Sequence, residues 1–359
     1  MAEPLKPLAE QVVVITVASS GIGLATARRA AAAGARVVLA ARNSEALDEA
    51  VVAIRNKGGQ ATPLALDVAD EGAADELAAK TIESFGTIDT WVNDAAVALY
   101  AKLEDVTLEE HRRVFDVGYF GLVQGSLAAL KHLKSKPGAL INLGSVLSDR
   151  AILLQGPYSA MKAAVKNFTD ALRMELEDEG SPMQVTLIKP ASIDTPYPEH
   201  ARNKLRGPAR LPQPIYDVEL AAKAICFAAG HRRRQLVVGG GAIALTALGP
   251  AFPRLSDLVM ETFYGEKAQT TDVHPVPGTN DNLFEPRKDG RTESNQQPFT
   301  RQSSLYLEAQ MHPVATAAII GGLGAAIGGA AWALNSRRQR DVGTREGERR
   351  LRAARLAAE

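Results

Sequence analysis

The chain has 359 residues, with Lys+Arg and Asp+Glu equal at 41 each, so no charge imbalance draws it to nucleic acid or an acidic ligand. A single cysteine, Cys226, excludes an internal disulfide framework and suits a reducing, cytoplasmic setting. The first ten residues carry two prolines, two acids and no apolar stretch, so no secretory signal is read there.

Residues 11–17 form a short β-branched run, and the small-residue turn 18–23 leads into an Ala-rich helical stretch ending at Gly34. A buried strand running through such a turn into a helix is the first unit of a doubly wound sheet, where helix N-terminal amides receive a phosphate. Further strands are expected at 36–41, 61–66, 88–92, 139–143, 184–188 and 236–238. Helices are expected at 44–57, 70–85, 104–133, 157–179 and 217–229. This alternation predicts a parallel α/β sheet of about seven strands with right-handed crossovers and helices on both faces.

The chemistry-bearing stretch runs from Ser145 to Lys162. Tyr158 and Lys162, four apart, share one helix face. A phenol with a free pKa of about 10 needs a nearby cation to work at neutral pH, and Lys162 offers one. Ser145, thirteen residues before Tyr158, would hydrogen-bond a substrate oxygen while Tyr158 moves the proton, the division of labour that carbonyl reduction requires.

Taken in order over roughly 11–241, these motifs resemble the short-chain dehydrogenase/reductase family, which has a Rossmann-type fold. Thr16, Ser19, Gly21, Ile22 and Gly23 look like its nucleotide-binding turn, and Asp67 and Val68 like its adenine-contacting pair. Asn93 and Ala95 sit in a version of its Asn-Asn-Ala-Gly signature. Ser145, Tyr158 and Lys162 look like its catalytic set, and Pro190, Ile193 and Thr195 fall where it places a loop against the nicotinamide amide. The resemblance implies hydride transfer between a nicotinamide dinucleotide and an alcohol or carbonyl, with Lys162 lowering the Tyr158 pKa and holding the ribose, and a homo-oligomer. No metal ligand set is singled out. At the end of the second strand, Ala40-Ala41-Arg42 lacks an acid for a ribose 2′-OH and offers a guanidinium suited to a 2′-phosphate, which favours NADP(H) over NAD(H). The alternative is a solvated arginine at the strand's end.

Four departures from the family pattern cluster at the cofactor and the proton path. Val17 stands at the first glycine of the turn, where a β-branched residue resists positive φ. Asp94 and Ala96 replace an Asn and a Gly, Ala191 replaces a Gly, and Gly118 stands where an Asn completes a proton relay. Two readings follow: a working reductase, or a family member that keeps the fold as a binding or scaffold protein at a membrane.

The expected layout is an N-terminal arm (1–10), the α/β domain (11–250), a polar extension (251–312), a hydrophobic helix (313–336) and a basic tail (337–359). Residues 196–214, rich in proline and charge, are expected to form a substrate lid. The hydrophobic run 243–263 must cover the sheet, a partner or a lipid surface, and makes an apolar substrate plausible. Residues 270–304 read as a linker with little order of its own. Residues 314–334 carry no charge, are long enough to cross a bilayer, and are followed by eight arginines. Thirteen of these residues are Ala or Gly, so three arrangements stay open: a weak span, a helix lying on anionic headgroups, or a helix packed in an oligomer.

Overall fold

Seven strands pair in parallel in the computed structural model, which describes residues 3–241, 243, 249, 251–271, 280–287, 290–322, 332, 347, 351 and 354. They are β1 (Val12–Thr16), β2 (Arg36–Ala41), β3 (Gln60–Ala65), β4 (Thr90–Asn93), β5 (Ala139–Leu143), β6 (Gln184–Pro190) and β7 (Gln235–Val238). Their spatial order is β7-β6-β5-β4-β1-β2-β3, so the winding reverses between β1 and β4, where Val13 stands opposite Val37 on one side and Thr90 on the other. A sheet covered on both faces needs apolar residues in both side-chain directions. β1, β4 and β5 are accordingly buried at every position.

The helices of the domain are α1 (Gly21–Ala32), α2 (Ser44–Asn56), α3 (Ala73–Phe85), α4 (Leu108–Phe115), α5 (Gly121–Leu133), α6 (Gly156–Asp178) and α7 (Val218–Gly230), followed by α8 (Pro253–Phe263). α3, α5 and α6 close one core over Val14, Val38, Trp91 and Leu140, while α1 packs on α7. The N-terminal arm is pinned by buried Asp89, which accepts from Lys6 Nζ at 2.7 Å and from the Val12 amide at 2.9 Å.

The single helix expected over 104–133 is divided. A capping box between Thr107 and Glu110 starts α4, and a π-turn over Asp116–Phe120 joins it to α5. Gly118 and Gly121 in that stretch lie so close to Met161 and Val68 that a Cβ at either would come within 2.6 and 2.8 Å of them. π-turns of this kind recur at functional sites.

Beyond β6 the chain builds a three-stranded parallel sheet from Ser192–Ile193, Ile215–Tyr216 and Thr300–Arg301, with Ile215–Tyr216 central. Leu99–Tyr100 pairs with Arg202–Asn203. The polar stretch expected to have little order is packed where it is described: Leu283 is fully buried with Val97, Val114 and Val117. One leucine, a row of backbone carbonyls and the ion pairs of Asp281 with Arg202 and of Arg291 with Glu199 hold it, a pattern without periodicity. In α8, Met260 is buried, but Leu255, Leu258 and Phe263 are exposed, so the expected burial of this run is partial.

Residues 308–359 form a separate unit, in which 313–322 are helical and largely exposed. Most of the uncharged stretch 314–334 and of the basic tail lies outside the described residues. Among the described residues, no helix is long and apolar enough to cross a membrane.

Candidate active site

Ser145 follows β5 and starts a short turn, its Oγ accepting from the Leu147 amide at 3.1 Å while Ser148 Oγ accepts from the Ser145 amide at 3.1 Å. Tyr158 and Lys162 lie on the first turns of α6, which opens with Pro157 where a missing amide costs nothing. Lys162 is buried, donates to the Leu143 carbonyl at 2.6 Å, and sits 5.7 Å from the centre of the Tyr158 ring. Ser145, Tyr158 and Lys162 thus line one cavity of about 200 Å³ at the carboxyl ends of the strands, beside the β1/β4 reversal. Gly21, Ile22, Pro190, Ile193 and Thr195 line it as well, so five of the residues expected around the cofactor are brought to the three expected to do chemistry.

Other expected residues lie elsewhere. Thr16 is buried, its Oγ1 accepting from the amides of Asp94 and Ala95 at 3.0 and 3.3 Å, which ties β1 to the turn after β4. Ala95 is buried in the core beside Val97. Asn93 faces inward too: its side chain accepts from Trp91 Nε1 and donates to Asn142 and Ser126, and it lines neither crevice cavity. Gly23 is required by contact, since a Cβ there would stand 2.3 Å from the Val17 carbonyl oxygen. Ser19, Arg42, Asp67 and Val68 line a second void of only about 50 Å³. Asp67 is paired with Arg113, and Arg42 donates to the carbonyls of Asn282 and Phe284.

Val17 adopts φ +53°, the left-handed backbone that its side chain disfavours, so the turn keeps the shape a glycine would give at a strain cost of about 1–3 kcal/mol. The place of the missing relay side chain at Gly118 is filled by the Met161 thioether.

Asp94 changes the electrostatics. Burial pushes its carboxyl up to about 7 and the Lys162 ammonium down to about 8, each charge opposing the other's shift. Burial and then the Asp94 charge push the Tyr158 phenol above its ordinary value, against a Ser145 hydrogen bond that lowers it. The expected lowering of Tyr158 by Lys162 is therefore outweighed, because the desolvated pocket favours the neutral phenol.

An acid whose folded pKa is raised supports the fold in full below its unfolded value and loses that contribution as pH climbs to its folded value. The stability gain of Asp94→Asn over the parent should therefore grow from about pH 4 to about pH 7. Thermal melts of both proteins across this window test it; a difference that stays flat would exclude the shift.

Sequence reasoning missed Gln155 and Tyr197, which also line the cavity. The Tyr158 ring packs edge-on against Tyr197 at 5.4 Å, Tyr197 donates to Gln155 at 2.8 Å, and Gln155 donates to buried Gln269 at 2.7 Å. Tyr197 lies in the stretch expected as a lid, and only tertiary folding brings Gln269 to it.

A family model described as short chain dehydrogenase matches residues 11–206. The chain is 42% identical over 322 residues to the uncharacterized oxidoreductase YxnA of Bacillus subtilis, covering 89% of this chain and 90% of that one. It is 36% identical over 187 residues to 3beta-hydroxysteroid dehydrogenase 1 of Eggerthella lenta, 51% of this chain and 71% of that one. Among solved structures, a short chain dehydrogenase/reductase from Burkholderia phymatum in complex with NAD has the same fold, with TM-score 0.63 and 23% identity over 76% of this chain and all of that one. An alcohol dehydrogenase from Thermococcus sibiricus complexed with 5-hydroxy-NADP matches with TM-score 0.56 and 25% identity, over 63% of this chain and 95% of that one. By its sheet order, its crevice and these likenesses, the chain belongs to the short-chain dehydrogenase/reductase family.

Proposed function

We propose that the chain is an NADP(H)-dependent oxidoreductase that interconverts an apolar alcohol and its carbonyl compound, with Tyr158 as the acid and base. The observation that carries this is the convergence of the Ser145 hydroxyl, the Tyr158 phenol and the Lys162 ammonium on one cavity. The bound nicotinamide supplies or takes the hydride. Gly21, Ile22, Pro190, Ile193 and Thr195 would hold the cofactor on the side facing that cavity, and Arg42 would meet a 2′-phosphate.

In the reductive direction Ser145 orients the carbonyl oxygen and Tyr158 delivers the proton. Its raised pKa suits that role, since the phenol starts protonated. Lys162, next to the ring, stabilises the phenolate that results. Ala98, Ile152, Ile193, Leu211 and Pro212 add an apolar part to a wall that also carries Asp94, Gln155 and His200, and that apolar part favours an apolar substrate. The Eggerthella relative, whose name is that of a steroid dehydrogenase, is in keeping with that class.

One observation favours the scaffold reading: the chain's own Asn282, Leu283 and Phe284 occupy space beside Arg42 and Asp67. Thermal melts with each dinucleotide separate the two. A ligand at a hundred times its dissociation constant adds about 2.7 kcal/mol of stability. NADPH should raise the melting midpoint more than NADH at equal concentration, and Arg42→Ser should erase the difference. Equal shifts would remove the NADP preference; no shift with either at millimolar concentration would support the scaffold.

A further inference from the structure

In a doubly wound sheet the dinucleotide lies across the carboxyl ends of the strands at the reversal, with its pyrophosphate on the first helix N-terminus and its ribose at the end of the second strand. Both stations are engaged here by the chain itself. At the end of β2, Arg42 donates to the Phe284 carbonyl at 2.7 Å and to the Asn282 carbonyl. Arg113, paired with Asp67, donates to the Leu283 carbonyl at 2.9 Å. At the N-terminus of α1, the Gly21 amide donates to the Arg291 carbonyl at 2.8 Å. Leu283 is fully buried on the crevice floor with Val68, Val97 and Val114. The space left there is about 50 Å³, room for a water or two and far short of the 300 Å³ or more of a ligand pocket.

We propose that the segment seated through Asn282, Leu283, Phe284 and Arg291 is an intramolecular competitor for the adenosine half of the crevice, and that the dinucleotide binds by displacing it. This rests on the cofactor reading above. The segment is not a cover over bound cofactor, because Leu283 touches the floor on which the adenine would lie. Its hold is of a kind that an anion can break. Arg42 and the α1 terminus bind neutral carbonyls, whereas phosphate oxygens at the same donors add an ionic attraction to the guanidinium and to the helix dipole that a carbonyl lacks. A buried acceptor, Asn282 Oδ1, makes no hydrogen bond among the described residues, which further disfavours the seated state. A 2′-phosphate adds competing charge at Arg42, so the segment sharpens discrimination in favour of NADP(H).

The test uses the full chain and two variants that weaken the seat without touching a cofactor-binding residue, Leu283→Asp and the milder Leu283→Ala. NADPH and NADH affinities are measured by calorimetry. Hydrogen exchange is followed at the amides of Asn282, which donates to His200, and Leu283, which donates to Asp281. The expected result is NADPH binding at least tenfold tighter in Leu283→Asp, a smaller gain of the same sign in Leu283→Ala, and faster exchange at both amides when the parent is saturated with NADPH. Equal or weaker binding in both variants, or slower exchange on saturation, overturns the competitor while leaving the cofactor reading intact. If neither parent nor variants bind either dinucleotide, the competitor and the cofactor reading fall together.

Discussion

Tyr158→Phe should lower the turnover of an apolar ketone with NADPH by about 10²–10⁴-fold, the range for losing a positioned general acid, while cofactor affinity changes little. The phenyl ring keeps the edge-on contact with Tyr197 and the position 5.7 Å from the Lys162 ammonium, so the pocket keeps its shape. What disappears is the proton. A loss confined to kcat would mark Tyr158 as acting in the transition state rather than in binding. The raised pKa of the phenol makes the reductive direction the sensitive one, because the acid form dominates across neutral pH. Steady-state rates over roughly pH 6–9 give the comparison. A variant that keeps a tenth or more of the parent rate, about tenfold above the least expected loss, would remove Tyr158 from the chemistry.

Asn93→Ala should cost about 2–9 kcal/mol of folding free energy, from two or three buried polar groups that lose their partners at about 1–3 kcal/mol each. The Asn93 side chain accepts from Trp91 Nε1 at 2.8 Å and donates to Asn142 Oδ1 at 2.9 Å and Ser126 Oγ at 3.2 Å, joining β4, β5 and α5. Asn142 in turn donates to Thr169 of α6 at 3.0 Å. Gly125 leaves room for the carboxamide: a Cβ there would come within 2.2 Å of Asn93 Oδ1. Set against a typical domain stability of about 5–15 kcal/mol, this loss is large. Urea denaturation of both proteins measures it, and a cost below about 1 kcal/mol, the worth of one ordinary hydrogen bond, would show that the network is dispensable.

That Asn93 braces the core rather than the ligand shows how far the sequence could be read. Strands β2 and β5 fall where the apolar runs place them, because a strand covered on both faces must be apolar throughout. The meeting of Ser145, Tyr158 and Lys162 was legible because two of them share a helix face and the third closely follows a strand. The side-chain direction of Asn93 was not, since a motif fixes a position and only the packing around Trp91 and Ser126 decides which way the amide turns. Met161 filling the place beside Gly118 depends on a contact between helices distant in the chain. The burial of Leu283 was hidden for another reason: a Leu-Phe pair among Asp, Asn, Glu and Pro carries no periodic signal, and its partners Val97 and Val114 are far away in sequence.

The seated segment continues into Thr300–Arg301, which pairs with Ile215–Tyr216 in the small sheet. A competitor fastened to its own target acts at an effective concentration on the order of millimolar, set by tether length rather than by how much protein is present. Dilution therefore cannot relieve it, and neither can a change in expression level. The occupancy of the crevice would then follow the dinucleotide pool alone, oxidised and reduced forms alike, with a half-saturation point raised by the chain's own segment.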